Sequence, residues 1–129
     1  MKIVSVILLS CFFSLALHAE DTEYAVDGYT TYEQAYEALK KNSQAKFSED
    51  QGWTIVSIEN GNDFIVWTFT PTTHSAHPAV IKRKMVKKND AIYIDMKGIC
   101  DAEKNQCDKL FEDFEKLNDK ISQGIQPDV

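Results

Sequence analysis

Between residues 53 and 99 the chain is written in strand residues punctuated by turn residues, and this stretch narrows the possible folds more than any other. Residues 53–59 and 64–70 are rich in Ile, Val, Trp, Phe and Thr, which suit a pleated, half-buried surface. Asn60-Gly61 lies between them, and Asn-Gly supplies the positive φ angles of a two-residue I′ hairpin. That turn would set Ile55 opposite Val66 and Val56 opposite Ile65. Apolar side chains then fall on both faces, so the pair is expected to be covered on both sides. A second hairpin is predicted from residues 79–88 and 91–99 around Asn89-Asp90. Ile92, Ile94 and Met96 alternate there with Tyr93, Asp95 and Lys97, giving one buried and one wet face. Its register places Met85 opposite Ile94 and Lys84 opposite Asp95.

Helical patterns flank this block. Tyr32, Ala35, Tyr36 and Leu39 recur at helical spacing, and Thr30 precedes Glu33 by the three residues of a capping box, predicting a helix over 31–44. The segment also has the flavour of a tetratricopeptide helix, but no second copy follows, so a repeat is excluded. Cys107, Leu110, Phe111, Phe114, Leu117 and Ile121 form a continuous apolar stripe, ended by Gly124 and Pro127. The sequence therefore predicts one α+β domain over 20–129: an N-terminal helix, a four-stranded antiparallel meander of two hairpins, and a C-terminal helix packed on the sheet. Residues 20–29 read as a loose acidic arm.

The first nineteen residues have the order of a secretory signal peptide: Lys2, an apolar run over 3–17, then Ala19 before Glu20-Asp21. A cut after Ala16 competes with one after Ala19. An apolar run of about 15 residues falls short of the ~20 that span a bilayer, so no permanent membrane anchor is expected. Cys11 follows Leu8-Leu9-Ser10, but apolar sequence continues past it, which disfavours a lipidation site. A periplasmic or secreted location is predicted. Removal of the leader takes Lys2 with it and leaves thirteen basic against twenty acidic side chains, a net charge of −7 in place of −6. Such a balance speaks against nucleic acid as a partner, which requires clustered Lys and Arg.

Two cysteines remain, Cys100 and Cys107, and an even count in an oxidising compartment favours a disulfide over metal ligation. A helix already begun at Asp101 would hold them about 10 Å apart at ~1.5 Å rise per residue. Bridged Cα atoms are about 4.4–6.8 Å apart. The bridge thus predicts that residues 101–104 loop back and that the helix starts near Asn105.

The segment between the hairpins, 71–78, is bounded by Pro71 and Pro78 and holds both histidines beyond the leader, His74 and His77. Two imidazoles three residues apart suit a polar inter-hairpin loop with each ring hydrogen-bonded to nearby backbone, or else a binding contact, a metal, or an acid/base couple. No third ligand and no oriented nucleophile accompanies them, so neither a catalytic nor a metal residue is assigned and no cofactor is expected. Beside the loop runs Lys82-Arg83-Lys84, with Lys87-Lys88 beyond. These lysines suit an anionic partner, or the defence of an exposed sheet edge. Alternation sends Lys82 and Lys84 to one side and Arg83 to the other. Trp53, Phe64, Trp67 and Phe69 fit core positions better than a ligand pocket.

Residues 67–71 through His74, then 77–83, together with Cys100, Cys107, Asp108, Leu110 and Phe114, form a pattern that resembles small exported bacterial proteins without a settled function. The resemblance covers about two thirds of the exported part and implies no activity. The expected function is that of an exported, non-catalytic binding or accessory protein. Its partner would be a protein or an anionic envelope component, met at His74, His77, Lys82, Arg83 and Lys84. The alternative is a metal-binding or acid/base enzyme centred on the loop of His74 and His77.

Overall fold

Five strands, where the sequence led us to expect four, pair in simple sequence order in the computed structural model, which describes residues 25–124. Helix α1 (Tyr32–Lys40) leads into β1 (Lys46–Asp50), β2 (Trp53–Asn60), β3 (Asp63–Phe69), β4 (Ala79–Lys88) and β5 (Ala91–Cys100), and α2 (Lys104–Ser122) follows. The two expected hairpins are joined edge to edge. β3 and β4 pair from Asp63↔Val86 to Phe69↔Val80, making one antiparallel meander. The missed strand, β1, is Lys-Phe-Ser-Glu-Asp and exposed along its whole length. Its ladder to β2 is a backbone interaction that leaves almost no apolar period to read. Gln51 and Gly52, at φ +51° and +86°, make the tight turn that creates it.

The register of β2 on β3 also differs from expectation. Asn60 faces Asp63, so the turn is Gly61-Asn62, Ile55 faces Thr68 and Val56 faces Trp67. Gly61 alone takes a positive φ (+62°), as at the first central position of a II′ turn, and Asn60 is spared that conformation. A slip of two residues leaves every side chain on its expected face. The Asn89-Asp90 turn and the pairs Met85↔Ile94 and Lys84↔Asp95 stand as read.

Helix α1 is shorter than the expected 31–44. Its N-cap is Thr31, whose Oγ1 accepts from the Gln34 amide at 3.1 Å, while the Gln34 side chain accepts from the Thr30 amide at 2.9 Å. The capping pattern is therefore shifted by one residue from Thr30/Glu33. At the other end Asn42 Oδ1 accepts from the Gln44 amide at 2.9 Å, a local turn that competes with further helix.

Each face of the sheet carries one helix. On the α1 face Val56, Trp67, Phe69, Val80 and Ile99 pack with Ala35, Leu39 and Val26. The arm expected to be loose is docked where it is described. Val26 and Tyr29 exchange backbone hydrogen bonds around Asp27-Gly28, and Val26 is buried. On the α2 face Ala76, Ala79 and Ile81 pack with Leu110, flanked by Trp53, Met96, Phe111 and Phe114. Gly98 permits this approach, because a Cβ there would lie 2.3 Å from the Phe111 ring. Cys100 and Cys107 are bridged with Cα atoms 5.8 Å apart, and α2 begins at Lys104 after the chain has turned back.

Among the described residues no helix is long and apolar enough to cross a membrane. The leader expected over 1–19, with Cys11, lies outside the described residues.

Candidate functional site

The loop between β3 and β4 is a defined structure. The His74 amide donates to the Pro71 carbonyl and the His77 amide to the His74 carbonyl, both at 3.0 Å. The Ala76 amide donates to His74 Nδ1 at 3.0 Å, which fixes that ring against its own loop. Ala76 itself is fully buried, and the His77-Pro78 peptide is cis.

These bonds send the two imidazoles to opposite layers. His77 lies 5.3 Å from the Tyr32 ring on the α1 side. Its Nδ1 is 3.1 Å from the Thr70 carbonyl and 2.9 Å from Thr70 Oγ1. A carbonyl can only accept, so these partners assign the proton to Nδ1. The Thr70 hydroxyl also takes the Ala79 amide at 3.0 Å and donates to the Ala79 carbonyl at 3.2 Å. The Tyr32 hydroxyl donates to the Thr70 carbonyl at 3.3 Å. Burial, then the neighbouring Tyr36 and Glu33, raise the Tyr32 pKa. His74 faces the other way, 5.0 Å from the Trp53 ring on the α2 side. An acid/base couple or a shared metal needs the two rings together, and the loop divides them. Among the described residues no group of three or more His, Cys, Asp or Glu is placed to hold a metal ion.

The basic side chains divide in the same way. Lys82 pairs with Asp27 and lies over the Trp67 ring, 5.5 Å from its centroid. Lys84 pairs with Asp63 at 3.2 Å, a diagonal neighbour, in preference to Asp95 directly across from it. Both belong to the α1 face. Arg83 points to the α2 face and is only 8% exposed. Its guanidinium stacks over Phe114 at 5.2 Å. Nε and Nη1 are sealed from solvent with no hydrogen-bond partner among the described residues, whereas Nη2 is not sealed in this way. Burial lowers the Arg83 pKa, the direction expected when a cation is taken from water.

The five residues singled out in the sequence therefore do not form one surface. His74 and Arg83 are linked through aromatic rings: His74 against Trp53, Trp53 6.2 Å from Phe114, and Phe114 under Arg83. Two further polar groups sit at this position. Thr68 Oγ1, diagonal to Arg83 on β3, and Asn118 Oδ1, one turn beyond Phe114, are buried without partners among the described residues. The amide nitrogen of Asn118 lies 3.4 Å from Met96 Sδ, and Met96 is the cross-strand neighbour of Arg83. Neither Thr68 nor Asn118 had a sequence signal, because each reads as an ordinary strand or helix residue. A separate cavity of about 380 Å³ lies beside the disulfide, lined in part by Cys100, Cys107, Asp108 and Phe111. Its carboxylate, Asp108, is paired with Lys104.

Searches of protein families, curated proteins and solved structures find nothing that matches this chain.

Proposed function

We propose that this chain is an exported, non-catalytic binding protein that receives an anionic group of a protein or envelope partner on its α2 face, at Arg83. One observation carries the reading: an arginine 8% exposed, whose guanidinium Nε and Nη1 lack any partner among the described residues. Taking a charge out of water without a partner costs several kcal/mol. Stacking on Phe114 returns about 0.5–2 kcal/mol of that and leaves the in-plane donors unused. Nη2 completes a planar fork with either of them, and that fork matches a carboxylate or phosphate. The leader read in the sequence and the disulfide both suit an oxidising, exported setting.

Affinity capture from envelope extract tests this, with wild type, Arg83→Met and Lys82→Ala as bait. The proposal expects Arg83→Met to lose a partner that Lys82→Ala retains, with both variants folded by thermal unfolding. Equal recovery on all three baits removes Arg83 from the contact. Loss on Lys82→Ala alone moves the contact to the α1 face.

A further inference from the structure

The two edges of the sheet are unlike. β1 is five residues long and carries Lys46, Glu49 and Asp50, the short charged form that discourages pairing. β5 is ten residues long, and among the described residues nothing pairs with its outer edge. Its backbone phase can be read from its hairpin. Asn89 and Asp90, at φ +53° and +61°, form a two-residue turn, so the flanking pair Lys88↔Ala91 is the hydrogen-bonded kind. Bonded pairs alternate from there, and the Asp101 amide donating to the Pro78 carbonyl at 3.0 Å keeps that phase at the far end. Ala91, Tyr93, Asp95, Lys97 and Ile99 thus bond inward to β4. Ile92, Ile94, Met96, Gly98 and Cys100 direct their amides and carbonyls outward.

We infer that β5 is the site of self-association, pairing antiparallel with β5 of a second copy about a two-fold axis at Met96. In this register Met96 meets Met96, Ile94 meets Gly98 and Ile92 meets Cys100, so each outward-facing residue finds another. Charge selects it over its neighbours. Asp95 and Lys97 are both exposed on the α1 face, and neither makes an ion pair among the described residues. A two-fold at Asp95 would oppose two carboxylates, and one at Lys97 two ammonium groups. The two-fold at Met96 sets Asp95 against Lys97 of the second copy, and Lys97 against its Asp95. These are non-bonded pairs, where side chains approach most closely, with Cα atoms about 4.5 Å apart. Within one chain Lys97 has Lys82 as its cross-strand neighbour, so the second copy supplies a carboxylate directly opposite it, where its own sheet places an ammonium group. Tyr93, 58% exposed, would meet Ile99 of the second copy. The contact is isologous, so it closes at a dimer with one ten-stranded sheet.

Sedimentation equilibrium of the full chain tests the pairing, expressed with its N-terminal segment, purified in its exported form and examined from about 1 μM to about 1 mM. The wild type is expected to dimerise reversibly. Asp95→Lys places like charges in both pairs and should weaken association at least about tenfold. Asp95→Lys combined with Lys97→Asp restores both pairs and should return the dimer to near wild-type strength. A wild type that stays monomeric throughout overturns the inference, as does an Asp95→Lys variant that dimerises unchanged. Failure of the exchanged pair to recover overturns the register. Both positions are exposed, and unchanged unfolding of the monomeric variants shows that the readout is association.

Discussion

On the α1 face, Val56, Phe69, Val80 and Ile99 close against Val26, Ala35 and Leu39, and Thr70, next to Phe69, has every hydroxyl valence used. On the α2 face, Arg83, Thr68 and Asn118 are also buried, yet each has a polar atom without a partner among the described residues. Buried polar groups in folded proteins are almost always satisfied, and a cluster of exceptions calls for a reason. On the proposed function the comparison separates the faces: one secures the fold, and the other gives up stability for groups open to a partner.

The largest effect should come from the satisfied face. Phe69→Ala empties a fully buried position and is expected to cost about 3–5 kcal/mol in denaturant unfolding. A loss below about 1 kcal/mol would mean that this face is not the principal core. The two threonines then offer the same substitution in opposite settings. Thr70→Val removes the partner of the buried Ala79 amide and should cost about 1–3 kcal/mol, whereas Thr68→Val deletes a hydroxyl that bonds nothing among the described residues and should be close to neutral. Equal costs would dissolve the distinction between the faces.

Arg83→Met sharpens the comparison further. Replacing a buried cation that makes no ion pair among the described residues by an apolar chain of similar reach should leave stability unchanged or raise it by about 1 kcal/mol. A loss of several kcal/mol would show that Arg83 holds the fold together.

The smallest effect concerns pH. The Tyr32 pKa is raised in the folded state, so its contribution is fully present below the unfolded value near 10 and is lost as pH rises through the folded value. Tyr32→Phe should therefore flatten the alkaline end of a stability-against-pH curve. An unchanged alkaline slope would assign that slope to other groups.

What the sequence disclosed follows from where each signal resides. The apolar stripe of α2 and the alternation across β4 and β5 are periodic and local, so they could be read directly. β1 could not, because Phe47 is its one apolar residue and the strand exists through the backbone of β2. The β2–β3 register was ambiguous because Gly61 can serve either the Asn60-Gly61 or the Gly61-Asn62 turn, and the choice rests on Val56 meeting Trp67 beneath α1. At the candidate site, the parity of β4 was enough to separate Arg83 from Lys82 and Lys84. The company it keeps was not legible. Phe114, Asn118 and Thr68 come from two other elements and share no motif with it. The separation of His74 from His77 depends on how a short loop turns, which residue types alone do not specify.

The strictly sequential strand order bears on how the molecule forms. Three of the four links between successive strands are two-residue turns, so most of the sheet can zip from its own hairpins without a search for distant segments. Topologies dominated by such near-neighbour pairing reach the native state quickly for their strand content. Only the β3–β4 link is longer, and the knot of Thr70, His77 and Ala79 holds the start of β4 against the end of β3. Weakening that knot should slow folding more than an equally destabilising change at either outer hairpin, because the two halves of the sheet are joined there.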